Sequence, residues 1–182
     1  MKHFFQFFFY MITLFSLSSC SSHSKKITVL EYNGKFPDES AKNIEIITSE
    51  NGVINFTLFA PLMNKYFGDN PYFDFPEGIT ISSYSNGEKH STLSADYAIS
   101  EEHTQRYEAH GNVIIVDLLK KETILTEKII WDKKNKRIFS DVEIIQIKAD
   151  GTTNKGDGIE ADEKFTKYTI TRPYVEMLAD DL

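Results

Sequence analysis

The sequence predicts an all-β protein, and two observations carry this prediction. Residues 89–171 read as short strand-like runs separated by polar turns, with no helix-length segment among them. A short pattern also recurs, in which an aliphatic and a small residue share one face and a carboxylate follows on the other: Leu93-Ser94-Ala95-Asp96, Ile124-Leu125-Thr126-Glu127 and Ile159-Glu160-Ala161-Asp162, with a fainter copy at Leu58-Phe59-Ala60-Pro61. The copies lie 35, 31 and 35 residues apart. A repeat near this period indicates a strand-pair unit stacked on copies of itself, in an antiparallel sandwich, a jelly roll or a curved sheet.

The amino-terminal residues have the composition of an export signal. Lys2 precedes an apolar run over residues 4–17, and this run is shorter than the roughly 20 residues that span a membrane. We therefore predict a lipoprotein signal peptide over residues 1–19, with an unprocessed membrane helix as the alternative. The motif Leu17-Ser18-Ser19-Cys20 resembles a bacterial lipobox, and Cys20, the only cysteine, is the predicted lipidation site.

Residues 20–42 are predicted to form a tether, because polar residues dominate and turn signals occur at Asn33-Gly34 and Pro37-Asp38. An edge strand over residues 27–32 is the alternative. The β-domain is predicted over residues 43–172, and a carboxy-terminal tail over residues 173–182.

The first strands are predicted from a hairpin signal. Residues 44–47 begin the domain, and Asn51-Gly52 favours a type I′ turn, because both central residues of that turn need positive φ. The second arm, residues 53–60, is expected to end at Pro61, and residues 62–67 to form one helical turn or a wide loop.

Alternation and turn signals predict the remaining strands, at residues 73–75, 79–81, 93–99, 107–116, 124–131, 138–147, 158–161 and 165–171. Leu93, Ala95, Tyr97 and Ile99 are expected to share one face. Gly111-Asn112 is expected to form a bulge.

The charge and the motif content of the sequence argue against several classes of function. The formal net charge of -7 argues against a nucleic-acid partner, which requires a basic face. The five histidines lack metal-ligand spacing, and the sequence has neither a phosphate-cradling glycine loop nor a nucleophile elbow. Neighbouring carboxylates such as Asp180-Asp181 fall where water solvates them. We therefore predict that the protein is not an enzyme and uses no cofactor and no metal.

Apolar residues recur on one face of the predicted strands, and they form either an ordinary core or the walls of a groove. The two sheets of a jelly roll need not touch fully, and an open side with aliphatic walls would accept acyl chains. The residue types are the same in both cases, so both interpretations stay open. The candidate groove residues are Leu58, Ala60, Phe75, Ile79, Ile81, Leu93, Ala95, Tyr97, Tyr107, Ala109, Val113, Ile115, Ile124, Val142, Ile144, Ile159 and Ala161.

Short motifs follow one another along residues 44–170 in a specific order: Ser49-Glu50-Asn51-Gly52, Leu58-Phe59-Ala60-Pro61, Phe75-Pro76-Glu77-Gly78-Ile79, Leu93-Ser94-Ala95-Asp96-Tyr97-Ala98-Ile99, Glu108-Ala109-His110-Gly111-Asn112-Val113, Thr126-Glu127 before Trp131-Asp132, Asp150-Gly151-Thr152 and Gly156-Asp157-Gly158-Ile159-Glu160-Ala161-Asp162. In this order they resemble the LptC family, the membrane-attached component of the lipopolysaccharide-transport bridge, in its Bacteroidota form. The resemblance implies an open, twisted antiparallel β-jelly roll of OstA-like repeats. Many members of the family carry a transmembrane helix, whereas this chain offers Cys20 and a leader.

The resemblance also implies a function without bond chemistry. Lipopolysaccharide would pass from an inner-membrane ABC transporter along the roll to a periplasmic, LptA-like bridge protein. Because exposed edge strands pair through main-chain hydrogen bonds, we expect two partner edges: Ile44 and Ile46 for the transporter, and Phe165, Tyr168 and Ile170 for the bridge protein.

We expect a lipid-anchored protein at the periplasmic face of the envelope. The inner membrane is favoured over the outer one, because function with the transporter implies it and no acidic run follows Cys20. The alternative is an envelope β-sandwich lipoprotein that binds carbohydrate or is purely structural.

Overall fold

Fourteen strands build one antiparallel sheet in the computed structural model, which describes residues 36–162, 165 and 167–174. They are β1 (Glu39–Glu50), β2 (Val53–Tyr66), β3 (Tyr72–Phe75), β4 (Ile79–Ser85), β5 (Glu88–Ala95), β6 (Tyr97–Glu101), β7 (Arg106–Asp117), β8 (Glu122–Asp132), β9 (Arg137–Ser140), β10 (Ile144–Ile147), β11 (Thr153–Gly156), β12 (Ile159–Asp162), β13 (Tyr168–Ile170) and β14 (Pro173–Tyr174). The predicted all-β class is confirmed, and the pairing described below is consistent with a β-jelly roll.

The long strands cross from one half of the sheet to the other. Along one side, β2 pairs with β4 through residues 56–59 and with β3 through residues 64–66. In the same way β7 pairs with β6 and then with β5 along its length, and β8 pairs with β10 and then with β9. The sheet therefore consists of half-sheet A, in the order β1-β2-β4-β5-β7-β8-β10-β11-β14, and half-sheet B, in the order β1-β2-β3-β6-β7-β8-β9-β12-β13.

The crossing points lie at the same level in neighbouring strands, and we call this line the seam. It passes Asp96 between β5 and β6, the Gly111-Asn112 bulge in β7 and Glu127 in β8. The Asn112 side-chain amide donates to Asp96 Oδ2 at 2.5 Å, and the Asn112 backbone N–H donates to Glu127 Oε2 at 3.4 Å. Two of the three carboxylates in the sequence repeat therefore meet at the seam. The third, Asp162, lies at the end of β12.

Local turn signals are confirmed. Asn51 and Gly52 have φ of 52° and 79°, the positive values that a type I′ hairpin turn requires. The bulge predicted at Gly111-Asn112 is confirmed by a register shift between His110 and Val113 in the pairing of β7 with β8.

The prediction that β2 ends at Pro61, with a helical turn or a wide loop after it, is wrong. β2 continues to Tyr66, and residues 62–65 pair with residues 39–42, so β1 begins inside the segment expected to be tether. Proline fits here because its missing N–H falls between the parts of β2 that pair with β4 and with β3. At the other end of the chain, Pro173 and Tyr174 pair with β11, within the segment expected to be a tail.

The core lies between the two half-sheets along the seam. Ala60, Val113 and Ile144 are 0% exposed and Ile159 is 1% exposed. Because the inner faces of both half-sheets contribute to one cluster, the bends at the seam make the two halves face each other.

Gly78 tests this arrangement, because it links β3 to β4 at a point where its backbone lies close to that of Ala95. Its φ is +84°, and a Cβ there would lie 2.5 Å from the Ala95 carbonyl oxygen. We expect Gly78→Ala to lower the free energy of unfolding by about 2–4 kcal/mol, from backbone strain and from the clash. Urea denaturation measures the loss.

Gly52→Ala is the matched control. Gly52 has a similar φ of +79°, but no atom lies within 4 Å of the position a Cβ would take. Only the conformational cost remains, about 1–2 kcal/mol. Equal losses for the two variants would contradict a tight approach at the seam.

Candidate lipid-binding groove

Most of the predicted groove residues come together on the inner faces of the half-sheets. The predicted residues that are buried in the core cluster are Ala60, Phe75, Ile79, Ala95, Ala109, Val113, Ile115, Ile124, Ile144 and Ile159, and those that pack against it partly buried are Leu58, Ile81 and Leu93. Ala161 is buried on the same face, since it pairs with Ile138 and Tyr168, which both pack against the cluster. Tyr107 lies there too and stacks on Trp131, with ring centroids 4.9 Å apart. Val142 is half-buried in the connection between β9 and β10.

Tyr97 does not join this cluster. Asp96 interrupts the strand at the seam, so the alternation that places Ala95 inward does not continue, and Ala98 is the next residue to face the core. The Tyr97 ring lies instead on the outer face of half-sheet B, 6.0 Å from the His110 ring. The expectation that Tyr97 shares a face with Leu93 and Ala95 is therefore wrong.

The same outer face carries a group of tyrosines around a carboxylate. Tyr66 and Tyr72 stack with ring centroids 4.5 Å apart. Burial, followed by the negative charge of Asp74, raises the pKa of Tyr66, Tyr72 and Tyr97 above its usual range. These tyrosines are therefore neutral hydrogen-bonding groups over the physiological pH range.

Sequence reasoning missed several inner-face residues. Ala98 and Ile129 are buried in the cluster, and Met63, Phe73 and Ile138 pack against it. Phe73 stands two residues before Phe75, so period-two alternation would have found it. Met63 was hidden because its segment was expected to lie outside the strands, and Ala98 because the seam reverses the pattern.

The groove is more open on the side of the first strands. The inward residues of β1 are partly exposed, with Ile46 at 42%, whereas Ile124 and Ile144 near the other end are at 3% and 0%. Leu58, Ile81 and Leu93 are half-buried and lie further from the seam than Ala60, Ile79 and Ala95. The apolar walls are therefore packed tightly at the seam. Away from it they are accessible only on the side of the first strands, because Ile115 and Ile124, which continue the row of Leu93, are buried.

Tyr168 closes the opposite end by connecting the half-sheets. It belongs to half-sheet B, yet its hydroxyl donates to Glu122 of half-sheet A and accepts from the Gln146 amide at 2.5 Å. Gln146 also donates to Glu122 at 3.2 Å and accepts from Asn154 at 2.7 Å. Phe165 stacks on Tyr168 with centroids 5.4 Å apart, so a polar network backed by two rings covers this end.

The strands predicted to bind partners lie at the borders of the sheet. Within the described residues, β1, which contains Ile44 and Ile46, pairs only with β2, and β13, which contains Tyr168 and Ile170, pairs only with β12. Phe165 precedes β13 and packs against the core. Partner binding at either edge remains a prediction.

Other predicted features lie outside the described residues. These are Cys20, the signal peptide over residues 1–19, the tether up to residue 35 and the tail from residue 175. Among residues 36–162, 165 and 167–174, no three His, Cys, Asp or Glu side chains are arranged to hold a metal ion. The same part of the chain has no helix with the length and apolar character needed to cross a membrane.

The fold and the groove define a β-jelly-roll protein with an apolar interior that is partly open along one side. A family model described as "Lipopolysaccharide-assembly, LptC-related" matches residues 8–172, and the chain belongs to this LptC family. A comparison with curated proteins gives no match. Membership involves the protein in lipopolysaccharide transport at the cell envelope, in a family of transport components rather than of enzymes.

The Tyr168 network predicts a specific pH dependence. Burial, and then the hydrogen bond to the Glu122 carboxylate, raise the pKa of Tyr168 in the folded protein. Unfolded tyrosine ionises near pH 10, so above about pH 10 the unfolded chain releases a proton that the folded chain keeps. The contribution of Tyr168 is therefore complete below about pH 10 and is lost as the pH rises towards the folded pKa.

We expect Tyr168→Phe to lower the free energy of unfolding by about 1–2 kcal/mol at pH 7, because hydrogen bonds to a charged acceptor are lost. Between about pH 10 and 11.5 the stability of the variant should fall less steeply than that of the wild type. Urea titrations across this range measure both profiles. Parallel profiles would contradict a cross-sheet role for the Tyr168 hydroxyl.

Proposed function

We propose that the groove carries the acyl chains of lipopolysaccharide while the sugar-phosphate head stays in water. The observation that carries this proposal is the set of inward, half-buried aliphatic residues away from the seam, among them Leu58, Ile81 and Leu93. A side chain left half-exposed on an inner face retains apolar surface that a ligand can cover. Burial of such surface releases about 25 cal/mol per Å².

Transfer along the groove needs no covalent step. The inner walls are built from similar aliphatic and small residues in successive strand pairs, so an acyl chain meets similar surroundings as it moves. The direction of movement would come from the ATP cycle of an inner-membrane ABC transporter.

The two edge strands are the proposed partner sites, because an edge strand offers unpaired backbone groups to a further strand. We assign β1 to the transporter and β13 to a periplasmic, LptA-like bridge protein. Lipidation at Cys20, after removal of a signal peptide, would hold the domain at the periplasmic face of the inner membrane.

A photo-crosslinking amino acid tests the groove in cells. Placed at Leu93 or Ile81, on the inner face, it should give lipopolysaccharide adducts. Placed at Ser94 or Tyr97, on the outer face, it should give none or several-fold less. Immunoblotting with an antibody against lipopolysaccharide measures the adduct yield at each position.

Two other results would favour a function other than that of a lipid carrier. Glycan adducts that lack lipid would favour a carbohydrate-binding lipoprotein. No adduct from any inner position would favour a purely structural one.

The same method tests the edges. Thr169 is exposed on β13, and Glu160 lies opposite it, one strand further from the edge. We expect the bridge protein to crosslink to position 169 far more than to position 160. On β1, position 45 should crosslink to the transporter more than position 59, its partner on β2. Equal yields within either pair would contradict strand addition at that edge.

A further inference from the structure

The turn between β8 and β9 concentrates positive charge in an acidic protein. The chain has a net charge of -7, yet residues 132–137 hold Lys133, Lys134, Lys136 and Arg137 against one carboxylate, Asp132. Such a local reversal of sign favours an anionic ligand.

The Asp132 carboxylate forms hydrogen bonds within this turn and so stabilises its conformation. Asp132 accepts hydrogen bonds from the Asn135 backbone N–H at 3.0 Å and from its side-chain amide at 2.7 Å. These bonds lower the pKa of Asp132, so it stays ionised. Arg137 is also engaged, with Asp132 at 3.8 Å and Glu160 at 3.4 Å.

The three lysines differ from Arg137. Lys133, Lys134 and Lys136 are exposed, and none forms an ion pair with another of the described residues. The turn between β7 and β8, at the far end of half-sheet A, has no such excess of positive charge. There, Lys120 is paired with Asp117 at 3.5 Å.

The turn over residues 132–137, which we call the lysine turn, lies at the end of half-sheet B that is far from the seam. Trp131 lies on the inner face of half-sheet B and stacks on Tyr107. The Lys133 ammonium lies 5.9 Å from the centroid of the Trp131 ring, so it sits on the groove side of the turn. The Trp131 indole N–H is buried and has no hydrogen-bond partner among the described residues. Aromatic surface and cations therefore adjoin each other within one hairpin.

In the described part of the chain, no carboxylate of the neighbouring β6–β7 segment forms an ion pair with these lysines. The two turns touch, since the Lys133 N–H donates to the Gln105 carbonyl at 3.1 Å. Glu101 accepts from the Thr104 hydroxyl at 2.9 Å, and Glu108 is held by Arg106 at 2.7 Å and by His110 at 3.0 Å.

We propose that Lys133, Lys134 and Lys136 bind the phosphate groups of the transported glycolipid at the lip of the groove. This inference rests on the proposed function, because the acyl chains of the same molecule would lie against Tyr107 and Trp131. Lysine binds phosphate as a compact point charge on a flexible stem, which suits a headgroup that must also leave. The interior thus selects the tails of the cargo, and the turn selects its anionic head.

The only tryptophan of the chain reports on this site directly. Trp131 emission is recorded for the full chain in a fixed non-ionic detergent. It is titrated with bis-phosphorylated lipid A and, separately, with the same acylated disaccharide lacking phosphates. The test variant is Lys133→Gln/Lys134→Gln/Lys136→Gln. The control variant, Lys42→Gln/Lys89→Gln/Lys121→Gln, makes the same change in net charge at exposed lysines elsewhere.

We expect the test variant to bind phosphorylated lipid A about tenfold more weakly than the wild type, as the loss of three exposed ion pairs would give. Its affinity for the phosphate-free lipid should be unchanged, and the control variant should change either affinity less than about twofold. The affinity of the wild type for phosphorylated lipid A should also fall with added salt.

Each other outcome has a defined meaning. If both lipids change Trp131 emission and the test variant binds them like the wild type, the lysine site is wrong and the groove stands. If neither lipid changes the emission, the proposed groove fails at this wall, and the lysine site fails with it. If inorganic phosphate changes Trp131 emission in the wild type but not in the test variant, and neither lipid changes it, the turn binds free phosphate and the lipid proposal is overturned.

Discussion

The constraint on which the molecule depends is that the strands change direction together. A single bent strand would leave its neighbours unpaired, whereas bends at a common level preserve the hydrogen-bond ladder on both sides. Asn112 helps to fix that level, because it bonds Asp96 on one neighbouring segment and Glu127 on the other. Glycine at position 78 allows the backbones to approach there, and a proline at position 61 is accommodated there. The seam therefore turns one sheet into two facing walls.

Because of this geometry, the inward side chains are buried to different extents in different parts of the interior. Near the seam the walls contact each other and small residues such as Ala60, Ala95 and Ala109 allow close packing. Away from it, the larger aliphatic side chains near the first strands, such as Leu58, Ile81 and Leu93, are only partly covered. Tyr168 then joins the walls at one end through a hydrogen-bonded network, while the first strands leave the other end more exposed. An interior that is tight along one line and accessible along another suits a long flexible chain better than a compact ligand.

The sequence specified local structure better than the relation between distant strands. Asn51-Gly52 and the Gly111-Asn112 bulge were predictable because their backbone angles depend on neighbouring residues. The extent of β2 was not, because a proline is acceptable only where partner strands leave its nitrogen unpaired. The reversal at Asp96 was also hidden, so Tyr97 was expected inward although most other groove residues were assigned to the correct face. The recurring carboxylates were visible as a pattern, but their meeting at Asn112 needed the three-dimensional fold.

We propose that acyl chains lie between the two walls, and the position of Trp131 on one wall allows this to be measured. Lipid A with bromine on its acyl chains quenches tryptophan emission only at short range. We predict strong quenching of Trp131 by the brominated lipid, and protection of the same residue from a water-soluble quencher such as iodide. Binding of the brominated lipid without quenching of Trp131, or with undiminished quenching by iodide, would contradict the claim.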